Sequence, residues 1–234
     1  MPVTLVNAYC TEAQVRAELQ DIAATVNSDL ICKAINVASR EIDNVCSGDV
    51  PRSRRFWQDT AVQTRTYTCE DLTFVYVDDI STVTGLIVKT DDNDDGTYET
   101  TWTINTDFAL WPLNAAADAA EPYAFWKIVA VGGGTGDKRF PLYERRAGLQ
   151  ITAKFGWPAI PKQIEEACIL RAISILLRKD SPTGMLVQGE WGNMRVPMFD
   201  PDVNAMLRPF IKRRPYSVSY QSDQARNSLF HRWG

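Results

Sequence analysis

The sequence predicts an α+β protein: a helical core built from both ends of the chain, a large antiparallel β insertion between them, and an extended C-terminal tail. Three observations carry this. Apolar residues recur at helical spacing near both ends, short alternating segments rich in β-branched and aromatic residues fill the middle, and the last twenty residues are polar with isolated aromatics. The boundaries that follow are 1–50 for the N-terminal helical part, 51–156 for the β insertion, 157–214 for the C-terminal helical part and 215–234 for the tail.

The first helix opens on a capping box, Thr11 with Gln14 three residues on, followed by Val15, Leu19 and Ile22 on one face. A second helix follows Asn27 and Ser28, either of which can cap. It carries Ile31, Ala34, Ile35, Ala38, Ile42 and Val45 on one stripe up to Gly48, a helix stop. From Phe56 the period changes to two. The segments TRTYTC, LTFVYV, VTGLIVK, YETTWTI, YAFWKIVAV and LQITAKF are separated by Asp, Asn, Gly and Pro clusters and read as antiparallel strands.

After FGWPAIP a third helix begins with Pro161 at its first position. Glu165 and Glu166 in the first turn and Arg178 and Lys179 in the last suit the helix dipole. Its apolar residues run almost all the way round, so it needs cover on most sides, from its own fold or from a neighbouring subunit. Ile169, Ile173 and Leu177 are the candidates for the subunit face. A short last helix starts at Asp200 and Pro201, with Val203, Met206 and Leu207 on one face, and Pro209 ends or kinks it.

Composition narrows the function classes. The chain has 234 residues, 45% hydrophobic and 23% charged, which is ordinary globular material. The opening MPVTLVNAYC has no basic region followed by an apolar run, and no stretch approaches the roughly 18 apolar residues of a membrane span, so a soluble protein with no membrane partner is expected. Cys10, Cys32, Cys46, Cys69 and Cys168 are odd in number and never in C-x-x-C, which reads as reduced, mostly buried thiols rather than a disulfide or zinc framework. From Ala205 onward, Arg208, Lys212, Arg213, Arg214, Arg226 and Arg232 face Asp223 alone. This stretch carries +5, and the rest of the chain −9, of the net −4.

Motifs of reaction chemistry are weak. Asp91, Asn93, Asp95 and Gly96 match the opening of a calcium loop, D-x-[DN]-x-[DN]-G, but the twelfth position, which must supply a bidentate Glu, is Trp102, and the flanks are strand-like. A hairpin turn, with Asp95 and Gly96 left-handed, accounts for the stretch; a half-built cation site is the rival. VGGGTGDKRF resembles a phosphate loop in composition only. His231, the only histidine, lies in the tail, which disfavours a triad with a fixed base. Asp78 and Asp79 are adjacent strand-end acids, expected to face opposite ways and to be solvated. The expectation is a non-enzyme without a cofactor.

The run GLQITAKFGWPAIPKQIEEACILRAISILLRKD, a strand ending in an aromatic–glycine turn, then proline, then an apolar helix with basic residues at its end, resembles the central signature of tailed-bacteriophage head–tail connector (adaptor) proteins. TEAQVRAEL followed by DLICKAINVASREIDNVC is similar to the opening helices of that family, in which the second helix packs on the one after the proline. The resemblance covers residues 8–48 and 148–214 and does not extend to the β insertion. It implies a non-enzymatic virion part, made in the host cytoplasm, that assembles as a ring, typically a dodecamer, between the portal protein and a tail-proximal connector or tail-completion protein. DNA passes through the lumen without specific binding, as an acidic body would favour.

In the tail, Tyr216, Val218 and Tyr220 alternate as a strand added to a sheet edge requires. Phe230 and Trp233 are anchors and Arg226 and Arg232 are charges suited to an acidic surface; with the resemblance, these seven become candidates for docking on the portal. The alternative reading is a calcium- or carbohydrate-binding β module on a helical stalk, using Asp91, Asn93 and Asp95 or exposed Trp102, Trp111 and Trp126; the bland account of those tryptophans is β-subdomain core.

Overall fold

The computed structural model describes residues 2–19, 26–48, 54–115, 123–132, 137–142, 147–179, 185–189, 192–195 and 200–212. Local chemistry sets the helices where the sequence suggests. The capping box forms at the head of α1 (Glu12–Leu19): Thr11 N–H donates to Gln14 Oε1 at 2.8 Å and Gln14 N–H donates back to Thr11 Oγ1 at 3.3 Å. Asn27 caps α2 (Ser28–Ser47) by accepting from Asp29 N–H at 2.8 Å, and Gly48, at φ 54°, ends it by donating to Val45 O.

The middle of the chain forms β1 (Gln63–Tyr67), β2 (Phe74–Ile80), β3 (Ile87–Thr90), β4 (Thr100–Trp102), β5 (Phe108–Trp111), β6 (Phe125–Ala130) and β7 (Leu149–Ala153). They pair antiparallel in two sheets, ordered β1-β7-β3-β4 and β2-β6-β5, with a bridge from Ile80 to Phe155 between the end of β2 and the residues after β7. Alternation decides what is buried. Leu149, Ile151 and Ala153 of β7 and Val75 and Val77 of β2 point inward, where Val88, Trp102, Phe108, Leu110, Phe125, Ile128 and Phe140 complete one core. Strand β5 was not legible from the alanine-rich stretch around it.

α3 (Lys162–Lys179) follows, one residue later than expected, with Pro161 O accepting from Ile164 and Glu165 N–H. A hairpin that the sequence did not reveal comes next, β8 (Met185–Gly189) paired with β9 (Gly192–Arg195). Asp200 caps α4 (Pro201–Leu207) through Asp202 N–H at 2.9 Å, and at Pro209 the helix tightens into a 3-10 turn over Arg208–Phe210.

The second core is helical. Val15 and Leu19 of α1, Ile31, Ile35, Ala38, Ile42 and Cys46 of α2, Ile164, Ala167, Cys168, Ile169 and Ala172 of α3, and Val203 and Leu207 of α4 close around Tyr9, Phe56, Trp157 and Phe210. Full burial of each isoleucine or leucine contributes about 1.5–3 kcal/mol. Across this core a two-pronged ion pair, Arg171 Nε to Glu41 Oε2 at 2.5 Å and Nη2 to Oε1 at 3.1 Å, sets the register of α3 on α2.

The hinge between strand and helix is Gly156, at φ 104°, where an added Cβ would lie 1.9 Å from Trp57 O. Both the backbone angle and the approach require glycine. Gly156→Ala is expected to lower unfolding free energy by about 3 kcal/mol, read as a fall in the urea midpoint with m unchanged.

Candidate functional site

Three places carry chemistry beyond packing: a buried charge cluster where the two cores meet, the acidic β3–β4 hairpin loop, and an aromatic outer face on the second sheet.

The cluster centres on Asp79, at the end of β2. It is 2% exposed, not solvated as the sequence suggested, because residues remote in the chain close over it. Arg54 Nε lies 3.1 Å from Asp79 Oδ2, Trp157 Nε1–H donates to the same oxygen at 3.2 Å, and Lys212 Nζ stands 3.4 Å from Oδ1. The backbone joins in: Gly156 N–H donates to Asp79 O at 2.7 Å, Lys212 Nζ to Val77 O at 3.0 Å, and Lys212 N–H to Cys46 O at 2.8 Å. The Arg54 guanidinium also covers the Trp157 ring at 5.3 Å. Burial pushes the Lys212 ammonium below the ordinary lysine range, and Asp79 opposes that shift.

Asp78, its neighbour, faces away as expected of a strand and takes Arg65 at 2.7 Å and the Tyr67 hydroxyl at 3.2 Å. A small cleft opens beside it, lined by Arg55, Trp57, Asp59, Arg65 and Phe155. Every acid here is matched by a cation, so the arrangement supplies cohesion between helices and sheets. Removing the charge with Asp79→Asn leaves two buried cations unmatched and is expected to cost about 3–5 kcal/mol in urea unfolding, with part recovered in the double variant Asp79→Asn/Lys212→Met.

The hairpin loop between β3 and β4 is organised from inside. Asp91 is fully buried: its Oδ1 accepts from Asn93 and Asp95 N–H, both at 3.3 Å, and its Oδ2 from Gly96 N–H at 2.8 Å, while its own N–H donates to Gly148 O at 3.0 Å. Asp95 Oδ1 accepts from Thr97 N–H at 2.7 Å, and Asn93 Nδ2 donates to Asp95 Oδ2 at 3.3 Å. The left-handed residues are Asp94, at φ 59°, and Gly96, at φ 90°, so Asp94 takes the role expected of Asp95. The flanks are strands, as the sequence indicated, and the twelfth position, Trp102, is a core residue whose Nε1–H donates to Thr90 Oγ1 at 3.0 Å.

Carboxylate oxygens of Asp91, Asp95 and Glu99 lie within 4.8 Å of one another, a set that could hold a cation, although Asp91 already serves three backbone donors. Asp91 therefore acts as the internal strut of the turn. Asp91→Asn is expected to lose about 1–3 kcal/mol by the same amount in calcium and in chelator, because the loss is of an acceptor for Gly96 N–H. Calcium-dependent melting of the wild type that the variant lacks would assign the loop to a cation instead.

The tryptophans divide. Trp102 stacks on Phe140 at 4.7 Å inside the core. Trp111 is 39% exposed and Trp126 is half-buried, so neither is simply core. On that outer face Tyr76 stacks on Trp126 at 5.8 Å, and the Lys127 ammonium sits 4.8 Å from the Trp111 ring and 5.6 Å from those of Trp126 and Phe74. Lys127 thus lies over Trp111, Trp126 and Phe74, and Trp126 stacks on Tyr76, while Trp111 stays exposed.

Of the candidate subunit-face residues, Ile169 is 6% exposed within the helical core, Ile173 is half-buried and Leu177 is 36% exposed. The docking candidates Tyr216, Val218, Tyr220, Arg226, Phe230, Arg232 and Trp233, and the single histidine, lie outside the described residues. All five cysteines are free and buried. No described helix is long and apolar enough to cross a membrane.

No family model matches the chain, and no curated protein matches it. Among solved structures it is similar to the neck of a native GTA particle computed with C12 symmetry. The identity is 16%, the TM-score 0.44, and the likeness covers 92% of this chain and 97% of that one, too slight to carry an argument about this chain.

Proposed function

We propose that the chain is a structural, non-enzymatic head-to-tail adaptor of a tailed-phage-type particle, forming a ring between the portal and the tail, with its C-terminal tail docking on the portal. The observation that carries this reading is the junction of β7, Gly156 and α3. The segment that bears the resemblance to head–tail connectors folds as a strand, a tight glycine turn and a helix laid against α2. That is the packing the resemblance implies, and Trp157 and Arg171 fix it with specific polar partners.

Two further features fit the reading. α3 leaves Ile173 and Leu177 at the outer end of its apolar stripe, where a neighbouring subunit can cover them. From Ala205 onward the chain carries +5 while the rest carries −9, so the C-terminal stretch suits an acidic protein surface and the body does not hold a DNA duplex that must slide past it. Ring size and the tail-side partner follow from the resemblance alone.

The test is reconstitution of the full chain with a portal protein from the same source, followed by electron microscopy and sedimentation. Portal-capping rings are expected. Deletion of Tyr216–Gly234, a polar segment with too few apolar residues for a core of its own, is expected to leave melting unchanged and to abolish portal attachment. A full-length chain that stays monomeric beside portals and instead shows calcium- or sugar-dependent stabilisation would replace this reading with the β-module alternative.

A further inference from the structure

Residues 2–11 run along α2 as a strap. Val3 N–H donates to Asp29 Oδ1 at 2.8 Å, Val6 N–H to Asn36 Oδ1 at 3.0 Å, Asn36 Nδ2 to Thr4 O at 2.9 Å, Arg40 Nη2 to Asn7 O at 2.8 Å, and Tyr9 N–H to Ser39 Oγ at 3.2 Å. These bonds all join a side chain to the strap's backbone, and those at Thr4, Val6 and Asn7 are at the surface, so the outer strap opens locally. Tyr9, 2% exposed, is anchored in the helical core with its hydroxyl donating to Asp43 and accepting from Phe56 N–H at 3.0 Å, and the inner end opens only when Tyr9 lifts with it. At its inner end Cys10 turns under the helices, 4% exposed, and meets Cys168 of α3, which is fully buried. The sulfurs are 3.4 Å apart, with Cys10 Sγ–H donating to Cys168 Sγ, and Ser39 Oγ stands 3.4 Å from the same sulfur.

We infer that Cys10 and Cys168 form an oxidation site that takes small aliphatic disulfides and closes into an intramolecular disulfide, stapling the strap to α3. The geometry needs the sulfurs to approach by roughly 1.4 Å to reach bonding distance. The other three cysteines have no sulfur partner among their hydrogen bonds in the described residues.

The two thiols differ in role. The hydrogen bond from Cys10 draws the Cys168 thiol below the ordinary range against the effect of burial, while the same contact and burial push Cys10 up. When the strap lifts, the Cys168 thiolate attacks one sulfur of the disulfide, whose S–S bond breaks and releases one thiolate. Cys10 then loses its proton and its thiolate attacks Cys168 Sγ, breaking the mixed disulfide and releasing the second thiolate. Two protein thiols are oxidised, one reagent disulfide is reduced to two thiols, and the two protons end on those products. A reducing compartment holds the pair open; an excess of disulfide closes it.

The closed bond would link residues 158 apart in sequence, a loop that contains the whole β insertion. The experiment incubates the full chain, folded, with bis(2-hydroxyethyl) disulfide at mildly alkaline pH. It then alkylates the remaining thiols under denaturing conditions and maps the tryptic peptides.

A Cys10–Cys168 cross-linked peptide is expected, with the other three cysteines alkylated, together with a rise in Tm on the order of 10 °C that dithiothreitol reverses. Cys10→Ser is expected to show neither, and to keep the untreated melting temperature within a few degrees because serine is close to cysteine in size and keeps a donor toward Cys168 Sγ. Alkylation of all five cysteines, persistent mixed disulfides with the reagent, or a cross-link between any other pair would overturn the assignment.

Discussion

A carboxylate buried between two cations holds this chain's two cores to each other. Asp79 belongs to the sheets by its place on β2, yet its charge is matched by Arg54, just after α2, and by Lys212, just after the last helical turn. The indole of Trp157, in the turn before α3, completes the set. Four separate stretches of chain thus meet at one pair of oxygens. In a low-dielectric setting such a group is tolerated only when all its partners are in place, so the cluster fastens helices to sheets and penalises any arrangement in which one partner is missing.

Around that point the packing is cooperative in a simple geometric sense. Only glycine can make the turn at 156, because the Trp57 carbonyl lies where a Cβ would be, and the same turn delivers Trp157 to Asp79 and starts the run into α3. Phe56, Trp157 and Phe210 then pack on one another at 5.1–5.7 Å, Phe210 edge-on to the other two, so an aromatic knot from three segments lies beside the charges.

Helix starts were legible in the sequence because their signals are local. The Thr11–Gln14 box, Asn27 and Asp200 each cap within three residues of themselves. Strands with clean alternation were legible for the same reason. What was not legible depends on distance. That β7 lies between β1 and β3 is a fact of pairing, not of period. Asp79 looked like a solvated strand end because its partners are dozens of residues away in either direction. Strand β5 hid behind alanines, and the β8–β9 hairpin offered glycines and methionine but no alternation. The acidic loop was half legible: its turn character showed in composition, but which residue turns left-handed and which one is buried depended on contacts with Gly148 and the loop's own amides.

Lys212 is the last described residue before the basic, aromatic tail, and the way it is tied has a mechanical meaning. Its backbone N–H is bonded to the end of α2 and its side chain to β2, so tension applied to the chain beyond it is shared at once by helices and sheets. The bonds to Cys46 O and Val77 O and the ion pair to Asp79 must slip together rather than unzip one after another. A chain anchored in that way transmits a pull as a rigid lever, so displacement at the terminus would rotate the whole body rather than peel away its last helix.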